Sequence, residues 1–149
     1  MEVELLKTVD LPLITRLVEL EHEAFGNGGL NEWHLVPFIR HGRVYVGRED
    51  NKVVGLIQYM RDWDQPQKAY LMGVSIAKEM RGQGLGTKLI YATLQELKLE
   101  NMEEVELTVD PENSGAIKVY REKLGFTMES TRADEYGKGE ERIVMFLSI

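Results

Sequence analysis

Cysteine is absent from the 149 residues. The chain therefore has no disulfide, no thiolate metal ligand and no cysteine nucleophile, so any group transfer must use another nucleophile or form no covalent enzyme intermediate. Basic excess is lacking too. Eighteen Lys and Arg against 25 Asp and Glu leave a net charge of −7, which argues against a broad nucleic acid surface and favours cationic or amine-bearing partners. No apolar run suggests a membrane span, and Met1, Glu2, Val3, Glu4 and Leu5 lack the basic start and apolar stretch of a secretory leader. The expectation is a cytoplasmic protein that works away from membranes. No repeat or low-complexity linker interrupts the chain. Its 43% hydrophobic and 29% charged composition suits one globular domain over residues 1–149.

The hydrophobic period switches repeatedly between two and about 3.6, which predicts strands and helices mixed along the chain. A strand near residues 3–8 leads to a helix over 11–25, with Asp10 as N-cap and Pro12 in the first turn. A second helix through Trp33, Leu35 and Ile39 stops near Gly42. Strands follow around Val44–Val46 and Val53–Tyr59, joined by a turn at 49–52, and a third covers 69–76. A helix from Gly84 to about Glu100 shows Leu85, Leu89, Ala92 and Leu99 on its apolar face. Val105, Leu107 and Val109 alternate as a strand, a helix ends at Leu124-Gly125, and strands at 126–133 and 142–147 close the chain as a hairpin. The resulting order, β-α-α-β-β-β-α-β-α-β-β, is an α/β fold with a mixed sheet: one parallel pairing in an otherwise antiparallel sheet, helices on both faces.

The segment Arg81-Gly82-Gln83-Gly84-Leu85-Gly86 lies between a strand and a helix. The first-turn amides of a helix lack internal partners and carry the positive dipole end, so such a segment is suited to an anion, and glycine lets a phosphate approach the backbone. A flexible turn before an ordinary helix is the plain alternative. A dinucleotide fingerprint fails because its third glycine falls on Thr87, and no nucleotide-hydrolase phosphate loop occurs.

Arg81-x-x-Gly84-x-Gly86 after Val74-Ser75-Ile76 resembles the coenzyme A signature of the GNAT family of N-acetyltransferases. Asn113-x-x-Ala116-x-x-x-Tyr120, followed by Leu124-Gly125-Phe126, resembles that family's second motif. The resemblance implies transfer of an acetyl group from acetyl-CoA to a primary amine by direct attack, with no metal. The amine is that of a small molecule, a protein N-terminus or a lysine, and the chain acts as a monomer or homodimer. A non-catalytic acyl-CoA sensor is the alternative. The resemblance further implies that the strands around Val74–Ile76 and Val109 splay apart. Backbone groups of Val74 and Ile76 then hold the pantetheine arm, amides over Arg81, Gly82, Gln83, Gly84, Leu85 and Gly86 take the pyrophosphate, and Tyr120 protonates the departing thiolate. Asn113 matches a position that helps hold coenzyme A, and reads equally well as a helix cap. Lys78, Lys88 and Lys123 read as solvated surface charges.

Two departures stand out. Tyr120 lies five residues before Gly125, one more than in many members, which predicts a rotated or bulged helix end. Tyr70 stands where many relatives carry a glutamate base. Deprotonation then passes through ordered water or a carboxylate of the first helix, where Glu21 shares the stripe of Ile14, Leu17, Val18, Ala24 and Phe25. An inward carboxylate needs partners. Two readings of Glu21 stay open: a ligand or proton relay for the acceptor's ammonium group, and a structural hydrogen bond to a loop amide. His22, His34 and His41 lack metal-ligand spacing. Trp33, Trp63 and Tyr136 either line an acceptor pocket or simply pack.

Overall fold

The computed structural model describes residues 1–149 as seven strands and four α-helices in one sheet of order β1-β2-β3-β4-β5-β7-β6. The elements are β1 (Glu2–Leu5), α1 (Leu11–Phe25), α2 (Glu32–His41), β2 (Arg43–Glu49), β3 (Lys52–Arg61), β4 (Lys68–Ile76), α3 (Leu85–Leu99), β5 (Glu104–Val109), α4 (Ser114–Lys118), β6 (Thr127–Arg132) and β7 (Arg142–Ser148). The predicted order of elements is the observed one. The β4–β5 pair is parallel, as α3 crossing between them requires, and its register sets Lys68 opposite Glu104, Ala69 opposite Val105 and Tyr70 opposite Glu106.

Contacts divide the chain into two compact units, Met1–Met60 with Leu71–Glu96, and Arg61–Tyr70 with Leu97–Ile149. In the first unit, β1, β2 and β3 form an antiparallel meander. Asp50 and Asn51 turn the β2–β3 hairpin with φ of 49° and 65°, the paired positive values of a two-residue turn that follows strand twist. Asp10 caps α1 by accepting from the Leu13 amide, and Gly26 ends it. The apolar stripe of α1 buries Ile14, Leu17 and Leu20 against Leu35 and Ile39 of α2 and Val44, Val46, Val54 and Leu56 of the sheet. Phe25, expected on that stripe, is 49% exposed at the helix end.

Two adjacent β3 residues place the helices. Gln58 bonds Glu21 of α1, and Tyr59 bonds Thr93 of α3. Successive strand residues face opposite sides, so α1 and α3 lie on opposite faces of β3. The buried face of α3 is centred on Leu89, Thr93 and Leu97; Leu99, expected on it, is 78% exposed because it falls past the edge of that face in the last turn. The buried Thr93 hydroxyl bonds the Leu89 and Ile90 carbonyls. Carbonyls only accept, so the Tyr59 hydroxyl must be the donor to Thr93.

Glu21 is the costliest buried group in this unit, at 1% exposure. Its Oε1 accepts from Gln58 Nε2 at 2.7 Å and its Oε2 from the Leu30 amide at 3.2 Å. Burial raises its pKa above the ordinary carboxylate value, opposed by the Leu30 amide, Gln58 and His34. The folded state therefore takes up this proton before the unfolded state does. Its contribution to stability is complete below the unfolded value of 4.5 and fades as pH rises through the elevated folded value.

In the second unit, β5, β7 and β6 form an antiparallel sheet with β7 in the middle, so the last strand inserts between its two predecessors. After α4 the chain makes a π-helical turn over Val119–Lys123, with the Leu124 amide bonded to the Val119 carbonyl, before Gly125 stops it at φ 82°. The predicted helix thus exists with the bulge that its extra residue requires.

Thermal melts across pH check the Glu21 argument. Glu21→Gln should gain stability relative to wild type as pH rises from 5 to 8. Glu21→Ala should cost about 2–4 kcal/mol at pH 5 and less as pH rises, since it strands the Leu30 and Gln58 donors and opens a cavity but has no carboxyl to ionise. A wild-type minus Glu21→Gln difference that does not move with pH would show that the carboxylate titrates normally.

Candidate functional site

The glycine segment leaves β4 through Ala77, whose amide is tied to the Val54 carbonyl, and a short 3-10 turn over Lys78–Met80. The Lys78 amide is bonded to Glu23 of α1, which fixes where the segment starts. Gly82 and Gly84 have φ of 80° and 75°, and a Cβ at either would meet nothing within 4 Å. Glycine is needed there for backbone conformation, and one side of the segment is open. The first α3 bond joins the Lys88 amide to the Gly84 carbonyl, so the Leu85, Gly86 and Thr87 amides precede the helical ladder. Leu85 buries its side chain and anchors the turn, while Gln83 is exposed. Arg81 is exposed and turns its side chain back along the chain, where Nε bonds the Ile76 carbonyl at 3.0 Å. Lys78, Lys88 and Lys123 are exposed.

In the second unit, Asn113 caps α4 through the Ala116 amide. Tyr120 lies in the π-helical turn with its ring 5.9 Å from Phe126, and burial raises its pKa above the ordinary phenol value. Its carbonyl accepts from the Phe126 amide, which ties the turn to the residue that precedes β6.

A hydroxyl cluster lies at the end of the parallel ladder. Tyr70 Oη is 3.0 Å from Thr108 Oγ1 and 3.2 Å from Tyr136 Oη. Burial above all pushes Tyr70 up to about 12; the Thr108 hydrogen bond opposes this, and Tyr136 and Glu106 add to it. Such a phenol keeps its proton at neutral pH and serves as a donor or relay, not as a free base. Beside it, Glu106 is buried at 5% exposure and paired with Lys68 at 2.7 Å and Arg132 at 3.4 Å.

A family profile described as the acetyltransferase (GNAT) family matches residues 13–126. The chain belongs to that family. Among its relatives, an N-alpha-acetyltransferase of Sulfurisphaera tokodaii is 30% identical over 123 residues, covering 72% of this chain and 73% of that protein. The ribosomal-protein-S18-alanine N-acetyltransferase of Escherichia coli has the same fold, with TM-score 0.80 at 19% identity over 99% of this chain and 94% of that one. An acetyltransferase of Bacillus subtilis solved in complex with CoA superposes with TM-score 0.79 at 13% identity, covering 99% and 97% of the two chains. Acetyl transfer to an amine is the chemistry that the GNAT family and these named N-acetyltransferases share.

Against the family pattern, Glu21 lies in the core with both oxygens engaged, while Tyr70 has two hydroxyl partners. Sequence reading missed Thr108, Glu106 and Arg142, because each reads as a solvated polar position on an alternating strand; only register reveals their shared face. Trp33 and Trp63 are 81% and 96% exposed, so neither packs in the core. No group of three His, Asp or Glu residues is arranged to hold a metal ion.

The hydroxyl cluster gives a sign test by NMR titration of labelled tyrosine rings. Tyr136→Phe should lower the Tyr70 value from about 12, because Tyr136 raises it, and Thr108→Val should raise it by removing the bond that favours the phenolate. Opposite movements would mean that the three hydroxyls do not bond as described.

Proposed function

We propose that the chain transfers the acetyl group of acetyl-CoA to the α-amino group of a peptide chain. The observation that carries this reading is the open-sided glycine segment at positive φ that opens α3, in a chain of the GNAT family. The α-amine is favoured because the Sulfurisphaera relative is named for that acceptor and matches nearly three quarters of each chain.

The residues present fit coenzyme A. A β carbon at position 82 or 84 would project into the space that a diphosphate needs, and the Leu85 and Gly86 amides, at the positive end of α3, supply donors. Backbone groups of Val74 and Ile76 offer a strand edge to the pantetheine amides, with Arg81 bracing the Ile76 carbonyl. Asn113 acts through its cap, fixing the start of α4 and so the position of Tyr120. Bound acetyl-CoA supplies the activated acetyl group.

The acceptor amine must be neutral to attack. Its proton leaves through the hydroxyls of Tyr70, Thr108 and Tyr136 to solvent, which replaces the strand glutamate of many relatives. Tyr120 gives its proton to the leaving sulfur, and its raised pKa keeps that proton in place through neutral pH. Glu21 holds α1, β3 and the loop at Leu30 together, acting as a positioning residue for the acceptor side. The lack of a carboxylate at position 70 favours a second reading, an acyl-CoA-binding domain without turnover, and the following tests separate the two.

Coenzyme A at millimolar concentration should raise the melting temperature, whereas NAD or ATP should not. Gly84→Val should fold and lose most of that shift; wild-type affinity in this variant would reduce the segment to an ordinary turn. Tyr120→Phe should leave coenzyme A affinity nearly unchanged and lower turnover about a hundredfold, within the ~10²–10⁴ range of general acid catalysis. In the wild type, kcat/KM for a peptide should rise with pH through the α-amine value of about 7.7–8.0 and stay level below pH ~10, since Tyr120 ionises above the ordinary phenol value. Tight acetyl-CoA binding with no turnover on any amine would establish the sensor reading.

A further inference from the structure

Arg142 begins β7 opposite Arg132 of β6. Along β7 it shares a face with Val144 and Phe146, which lie opposite Thr108 and Glu106 of β5, and Tyr70 lies opposite Glu106 in the parallel ladder. Paired residues point to the same side of a sheet, so Tyr70, Glu106, Thr108, Arg132 and Arg142 occupy one face. The Arg142 guanidinium lies over the ring of Tyr136, 5.2 Å from its centre, and the hydroxyl of that ring touches Tyr70. One phenol ring therefore separates the guanidinium from the hydroxyl cluster.

The Arg142 Nε is shielded from solvent and has no hydrogen-bond partner. A guanidinium donor that has lost water without gaining a partner is costly, and a nearby carboxylate would normally answer it. Three carboxylates of this unit are committed elsewhere. Glu106 pairs with Lys68 and Arg132, Glu135 with Arg132, and Asp134 accepts from the Gly139 amide. The Tyr136 ring favours the cation from one side but cannot accept from Nε in its plane.

We propose that Arg142 is a specificity-determining residue whose missing partner is a carboxylate of the acceptor, so that the preferred substrate is a peptide with an acidic side chain at its first or second residue. The inference rests on the α-amine reading above and deepens it. A backbone carbonyl would satisfy one donor and leave the charge unanswered, whereas a carboxylate takes two parallel N–H bonds from the guanidinium fork. Extended chain advances about 3.5 Å per residue, so a side chain one or two positions along the acceptor spans the phenol ring between the hydroxyl cluster and Arg142. The net charge of −7 slows approach of such a peptide at long range; the pairing acts at contact, where it lowers KM.

The test uses the full chain, acetyl-CoA and tetrapeptides that differ only in glutamate or glutamine at the first or second position. The glutamate form should have a KM lower by roughly tenfold or more at one of these positions, the scale of a hydrogen bond to a charged group. Arg142→Gln should bring the ratio close to one, and Arg142→Lys, which keeps the charge without the fork, should retain part of it. Arg142→Glu should transfer the preference to a lysine-bearing peptide, a reversal that a packing role would not produce. Equal use of glutamate and glutamine peptides by the wild type overturns the inference, whether or not the variants fold, and so does a ratio unchanged in Arg142→Gln. Turnover of no peptide at all would overturn the α-amine reading beneath it.

Discussion

The parallel pairing of β4 with β5 is the constraint on which the candidate chemistry depends. Because parallel strands cannot be joined by a tight turn, the chain must leave β4 and travel through α3 before returning as β5. That requirement puts the glycine segment at the start of a crossover helix, where unpaired amides and the positive dipole end coincide. The same ladder aligns Tyr70 with Glu106 and so sets the hydroxyl of Tyr70 beside Thr108.

Polar groups inside the fold are mostly answered by specific partners, and the pairings mark how the elements are tied. Glu21 ties α1 to β3 and to the loop at Leu30, Thr93 ties α3 to β3 through Tyr59, and Glu106 gathers Lys68 and Arg132. Each replaces an apolar contact with a directional one, which favours a single arrangement of helix on sheet while adding modestly to net stability. Gln58 Oε1, Ser75 Oγ and Arg142 Nε are the buried side-chain atoms without partners. Of the three, Arg142 alone carries a charge.

The π-helical turn has a comparable logic. One extra residue between Tyr120 and Gly125 must be accommodated while Asn113 fixes one end of the segment and Phe126, 1% exposed, fixes the other. Widening one turn absorbs it locally. The cost is poorer hydrogen-bond geometry, and the gain is that both the cap and the buried aromatic keep their places, with the Tyr120 ring still packed on Phe126.

Local signals in the sequence were enough to determine the element order, the Asp10 cap, the glycine segment and even the irregular helix before Gly125, because capping, glycine conformation and residue count act within a few positions. The inward face of Glu21 was likewise legible from helical spacing. The partners of that carboxylate were not, since the Leu30 amide and Gln58 are 9 and 37 residues away. Insertion of β7 between β5 and β6 was hidden for the same reason, as strand order is a matter of register and crossover. Tyr70, Thr108, Tyr136 and Arg142 are separated by up to 72 positions from first to last. Period-two alternation assigned Tyr70, Thr108 and Arg142 each to a face of its own strand, but only pairing across β4, β5 and β7 decided that those faces were one, and Tyr136 joins them from the loop between β6 and β7.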